Sequence, residues 1–146
     1  MAVTHRVGDL FGQGLPALAH GVNCEGSMGG IAGQFARRWP ALAEDYRERC
    51  ANGQIVLGEV FTWTAPDGLV VYNLVTQPYP GPCAELFAIG TSLAAAVRHA
   101  EEHGIDQIGL PRIGAGIGGL EWDDVLAVID EIGADTDVGL VVVSLG

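Results

Sequence analysis

Two glycine-rich segments offer the clearest chemistry in the sequence: Gly26-Ser27-Met28-Gly29-Gly30 and Gly114-Ala115-Gly116-Ile117-Gly118-Gly119. Glycine lets main-chain N–H groups turn inward and lets a ligand approach without meeting a Cβ. Each segment is expected between a strand and a helix, where N–H groups also sit at the positive end of the helix dipole and suit a phosphate. Two such loops side by side would hold a diphosphate between them. With 22 glycines in 146 residues, about twice the usual share of ~7%, the chain is rich in such positions.

Other patterns point to chemistry less well. The second cluster formally fits G-x-G-x-x-G, the fingerprint of a dinucleotide-binding βαβ unit. That fingerprint belongs at the start of a long α/β domain, whereas here only one helix and one strand are expected after it. No G-K-[ST] follows, so there is no P-loop. His99-Ala100-Glu101-Glu102-His103 has the H-x-x-E-H spacing of inverted zinc peptidases. Two histidines at i and i+4 share a helix face, but only 43 residues follow, with no obvious helical glutamate ligand, and His103 adjoins a helix stop at Gly104; no metal site is expected. Cys24, Cys50 and Cys83 form an odd set without metal-like pairing and are read as reduced thiols.

These segments need a framework, and the hydrophobic pattern supplies one. His5-Arg6-Val7 opens a short strand that ends at Gly8-Asp9, and Ala17 to Val22 reads as a buried strand. A helical stretch from about Ile31 to Cys50 breaks near Trp39, because Pro40 suits a first helical position. Glu59 to Thr64 and Leu69 to Val75 alternate as a hairpin around Pro66-Asp67-Gly68. Glu85 to His103 is the most regular helix, stopped by Gly104. Gln107 to Leu110 is a strand, Trp122 to Ile132 a helix and Val138 to Leu145 the last strand. This closing strand–helix–strand order implies a parallel pair. Helices packed on both faces of a mixed sheet of about six strands follow, an α/β fold in three layers, within one domain spanning residues 1–146.

Composition narrows the function classes. Apolar residues make up 49% and charged residues 17%, which describes a folded globule. The formal charge of −11 opposes stable binding to nucleic acid or an anionic membrane. It leaves room for a small anion held by uncharged N–H groups. His5, Arg6 and Asp9 interrupt any signal-like start, and the longest apolar runs are strand-sized. A cytoplasmic location is therefore expected, with no membrane partner; the oligomeric state is not legible. There are seven Lys plus Arg residues, all of them Arg.

Taken in order, Gly8-Asp9-Leu10-Phe11, Ala19-His20-Gly21-Val22-Asn23, Met28-Gly29-Gly30-Ile31-Ala32, Asn73-Leu74-Val75-Thr76 and Pro111-Arg112-Ile113-Gly114-Ala115-Gly116-Ile117-Gly118-Gly119-Leu120-Glu121-Trp122 resemble a macrodomain. The resemblance runs over nearly the whole chain. It lies nearest the branch that contains the terminal ADP-ribose protein glycohydrolase and the antitoxins that remove ADP-ribose from DNA. It implies an ADP-ribose site without a cofactor. By position, Asp9 would accept from the adenine amino group beside the Leu10 main chain, and Asn23 would lie near the distal ribose. Met28, Gly29, Gly30, Ile31 and Ala32 would surround the diphosphate and distal ribose. Ile113, Gly114, Ala115, Gly116, Ile117, Gly118, Gly119 and Leu120 would form the second phosphate loop, flanked by Pro111 and Arg112, with Thr76 and Gln77 alongside.

The sequence departs from that pattern in three places. Gln77 stands where the glycohydrolase has a lysine that attacks C1″, and Gly118 stands where it has an acid. An amide forms no Schiff base and glycine moves no proton, so the covalent route is closed, and a chain without lysine has no substitute. The Met28–Ala32 segment is also one residue shorter than the family's Met-Gly-x-Gly-Ile-Ala. Three readings stay open. The leading one is a hydrolase of ADP-ribosyl esters, in which Asn23 and Gln77 position water or ribose. The others are a non-catalytic ADP-ribose reader and a structural domain with a vestigial pocket.

Overall fold

In the computed structural model, which describes residues 3–145, every strand joins one six-stranded sheet. In chain order the elements are β1 (Val3–Val7), β2 (Ala17–Val22), α1 (Gly30–Arg38), α2 (Pro40–Ala51), β3 (Val60–Thr64), β4 (Val70–Val75), α3 (Leu86–Glu102), β5 (Gln107–Leu110), α4 (Trp122–Ala134) and β6 (Gly139–Ser144). A 3₁₀ turn, Leu10–Gly12, follows β1. The spatial order is β1-β6-β5-β2-β4-β3, with all pairs parallel except β3–β4. The expected mixed sheet, the closing parallel pair β5–β6 and the hairpin are thus observed.

Each face of the sheet carries its own core. Ala17, Ala19, Tyr72, Leu74, Ile108 and Leu110 meet Ile89, Leu93 and Ala96 of α3 and Val125 and Ile129 of α4. The alternate positions Leu18, Val22, Val71 and Val75 meet Phe35 of α1 and Leu42 and Tyr46 of α2. Period-2 alternation therefore assigns successive residues of β2 and β4 to opposite layers. The expected break falls between α1 and α2: the Trp39 N–H bonds to the Phe35 carbonyl, and Pro40 starts α2. A proline there loses no helical hydrogen bond, since first-turn N–H groups lack an acceptor in the helix.

One polar pair lies inside the α1 layer. His20 is fully buried, stacked on Phe35 at 3.8 Å, and its Nε2 lies 2.6 Å from Oδ1 of Asn73, its partner across β2–β4. Asn73 in turn donates to the Phe61 carbonyl at 2.9 Å. Burial lowers the His20 pKa to about 4, outweighing the Asn73 bond that raises it. The ring is therefore neutral near pH 7, and its Nδ1 has no hydrogen-bond partner among the described residues.

Candidate functional site

The five parallel strands end on one rim of the sheet, and the connections leaving them build a cleft of about 630 Å³. β2 leaves toward β4 on one side while β5 lies on its other side, so the cleft opens where the strand order reverses, the usual ligand site of an open parallel sheet. Of the residues singled out in the sequence, Asp9, Leu10, Asn23, Gly29, Gly30, Ile31, Ala32, Thr76, Gln77, Pro111, Arg112, Ile113, Gly114, Gly116, Ile117 and Gly118 line it. Met28 and Leu120 do not; they pack against the two cores. Ala115 and Gly119 do not line it either, and a Cβ at Gly119 would come within 2.8 Å of Pro82.

The two glycine loops differ in construction. In the first, Gly29 precedes α1 in an extended conformation, and the Gly33 N–H closes the first helical bond onto the Gly29 carbonyl. Gly30 sits at φ +55°, a conformation that glycine takes readily. The N–H groups of Gly30, Ile31 and Ala32 are thus first-turn donors without helical acceptors, at the positive end of α1. In the shortened Met28–Ala32 segment the helix begins directly at Gly30.

The second loop closes on itself before α4 begins. Leu120 N–H bonds to the Gly114 carbonyl at 2.8 Å, and Gly119 N–H to Gly116 at 3.3 Å. It is therefore a separate ring of main chain ahead of the first turn of α4. Among the described residues, the N–H groups of Gly114, Gly116, Ile117 and Gly118 have no protein acceptor. A Cβ on Gly116 would meet nothing within 4 Å, whereas one on Gly118 would lie 2.7 Å from the Gly114 carbonyl oxygen and 2.8 Å from Ala84 Cβ. The loops approach each other over the cleft, Ile117 Cδ1 lying 3.1 Å from where a Gly30 Cβ would stand.

The side chains define the chemistry further. Asp9 caps the 3₁₀ turn, its Oδ1 accepting from Phe11 N–H at 3.1 Å. Among the described residues Oδ2 has no protein donor. Gln77 is committed elsewhere: its Nε2 donates to the carbonyls of Tyr79 and Gly81 at 2.8 and 2.9 Å, fastening the β4–α3 connection. Only Oε1 is left for a ligand or water. Arg112 is exposed at the rim, its guanidinium 5.4 Å from the Trp122 ring centre. Gly8, Gly21, Val22 and Ser27 of the quoted motifs line the cleft too, as do Gln34, Pro80, Gly81 and Val143 to Leu145, which no sequence pattern singles out.

Asn23 is a nearly buried polar group of the site, 7% exposed, with both ends of its amide held. Its Oδ1 accepts from Glu25 N–H at 2.9 Å and its Nδ2 donates to the Ser27 carbonyl at 2.9 Å. These two partners fix which end is oxygen, since an N–H requires an acceptor and a carbonyl a donor. One Nδ2 hydrogen remains, so Asn23 offers the cleft a donor.

The remaining sequence candidates lie elsewhere. His99 Nδ1 is 2.8 Å from the Tyr72 hydroxyl, and the His99 and His103 rings stack at 3.9 Å. No group of three or more potential ligands that could hold a metal occurs among the described residues. The three cysteines are unpaired, and burial, ahead of nearby charge, raises the Cys24 thiol pKa. No helix among the described residues is long and apolar enough to cross a membrane.

Known proteins share this arrangement. The chain is 34% identical over 127 residues to the DNA ADP-ribosyl glycohydrolase of Mycobacterium tuberculosis, covering 84% of this chain but 36% of that protein. It is 28% identical to human ADP-ribose glycohydrolase OARD1, over 98% of this chain and 91% of that one. The solved macrodomain of Mycobacterium tuberculosis DarG superposes with a TM-score of 0.88 at 32% identity, covering 98% and 97% of the two chains. A family model described as Macro domain matches residues 19–129, which include most of β2, both glycine loops and most of α4. With its strand order, rim cleft and paired glycine loops all in place, the chain belongs to the macro domain family.

Proposed function

We propose that this chain binds ADP-ribose in the rim cleft and hydrolyses ADP-ribosyl esters, using water instead of a lysine nucleophile. The observation that carries the reading is the facing pair of N–H-rich loops, Gly30–Ala32 and Gly114–Gly118, with open space at Gly29 and Gly116. Uncharged main-chain donors can neutralise a diphosphate even in a chain of net charge −11. Adenine lies at Asp9 and Leu10, and the distal ribose beside Asn23. The names of the mycobacterial and human relatives, both ADP-ribose-removing enzymes, support the hydrolytic sense.

In the reaction, water attacks C1″ while the bond from C1″ to the ester oxygen breaks and the carboxylate departs. The water proton passes to an oxygen of the ligand's diphosphate. Gln77 Oε1 is the available side-chain acceptor for that water, and Asn23 Nδ2 donates to the ribose. Positioning and the loop N–H groups supply the rate; esters need less help than N-glycosides. The unpaired thiols fit a cytoplasmic setting.

The test is single-turnover release of ADP-ribose from an ester-linked substrate by the purified chain, beside Gly116→Glu. Gly116 has room for the new side chain, so the variant should fold, fill the loop with a carboxylate and lose both binding and turnover. Borohydride should trap no adduct; recovery of one would defeat the water route. A second reading, a reader that binds without turnover, is favoured by the engagement of Gln77 Nε2 and the absence of a side chain at Gly118. Micromolar binding without release would establish it.

A further inference from the structure

The turn that carries Asn23 is held from behind by α2. Tyr46, fully buried, places its hydroxyl 2.6 Å from the Asn23 carbonyl oxygen and 3.1 Å from Asn23 Oδ1. One residue on, Arg47 Nε donates to the Gly26 carbonyl at 3.2 Å. One turn further, Cys50 Cβ lies 3.8 Å from where a Gly26 Cβ would stand. Positions 46, 47 and 50 share one side of a helix, so one face of α2 supports the turn from Asn23 to Gly26.

Burial, ahead of the surrounding charges and bonds, drives the Tyr46 pKa upward, so the phenol stays protonated and can act as donor. Both of its acceptors belong to Asn23, one main-chain and one side-chain. Without that donor, Oδ1 keeps only the Glu25 N–H, and the nearly buried Asn23 carbonyl loses its closest partner. The amide would then be freer to turn about its side-chain bonds, and the hydrogen it offers to the cleft would lose its aim.

We propose that Tyr46 is a positioning residue for Asn23: from outside the cleft it fixes the amide that the distal ribose meets. This rests on the ADP-ribose reading above, and the ligands of the test separate the two. ADP lacks the distal ribose, so the ratio of ADP-ribose to ADP affinity reports on the Asn23 contact alone.

The experiment is calorimetry of ADP-ribose and ADP with the wild-type chain, Tyr46→Phe, Asn23→Ala and the double variant. ADP should bind all four equally, within about twofold. Tyr46→Phe should weaken ADP-ribose about tenfold, the scale of one aimed hydrogen bond. Adding it to Asn23→Ala should change nothing more, because its target is gone. Equal weakening of ADP and ADP-ribose by Tyr46→Phe would show a merely structural role and overturn the inference. So would an unchanged ratio in Tyr46→Phe while Asn23→Ala loses it. A wild-type chain that binds neither ligand would defeat the ADP-ribose reading itself. If Tyr46→Phe fails to fold, 4-aminophenylalanine at position 46 keeps ring and donor and should retain the wild-type ratio; its loss there would also overturn the assignment.

Discussion

The two loops that face each other across the cleft are both rich in glycine, for different physical reasons. The first is backed by polar groups: Tyr46 and Arg47 bond to its turn, and His20 stacks under Phe35 in the helix it leads into. The second is backed by apolar contacts and its own main chain. A Cβ at Gly114 would meet Ile89 at 2.7 Å, one at Gly119 would meet Pro82 at 2.8 Å, and one at Gly118 would meet Ala84 and the Gly114 carbonyl. In the first loop glycine serves conformation and ligand approach. In the second it serves mainly close packing, and Gly116 is the position left free for a ligand.

The contrast can be broken experimentally, and the largest effect should come at Gly118. Placing an acid there, Gly118→Asp, forces a side chain against main chain and Ala84. It should cost upwards of about 3 kcal/mol in urea unfolding and lower ADP-ribose affinity with it; a stable, active Gly118→Asp would refute the packing argument. Next comes acid. The unfolded chain takes up a proton on His20 near pH 6.5, which the folded chain refuses until about pH 4. Stability should be complete above 6.5 and decline as pH falls toward 4, by about 3 kcal/mol if the unfolded value is ordinary. The fall should be smaller in His20→Gln; an identical pH profile would exonerate the histidine.

Smaller changes sharpen the picture. Asp9→Ala should weaken ADP-ribose by about 1–3 kcal/mol through loss of a carboxylate hydrogen bond. Unchanged calorimetric affinity would remove Asp9 from the adenine end. Gly116→Ala, which enters open space, should alter folding stability by under about 0.5 kcal/mol. A larger drop in its urea midpoint would place Gly116 with the packed glycines instead.

The elements were legible because local signals agree. The bounds of β2, the Trp39–Pro40 break and the β3–β4 hairpin each follow from alternation, proline and turn chemistry within a few residues. The main parts of the cleft were legible for the same reason, each lying at the end of a readable strand. What the sequence hid depends on contacts between distant residues. Tyr46 carries no sequence signal of a role in the site, and its bond to a residue 23 positions earlier exists only after folding. Gln77 reads as a free amide until the following loop curls back to take both its N–H groups. Ser144 reaches the cleft through sheet order, which no local pattern encodes.

The crowding around Gly118 also limits how this chain could be given covalent chemistry. An acid placed at position 118 would be penalised in foldability before it could act, and a lysine at position 77 would first unfasten the neighbouring connection. A covalent mechanism through these two positions would require the stretch near Ala84 to be remodelled beforehand. An engineer wishing to install one would therefore start at Ala84, away from both positions.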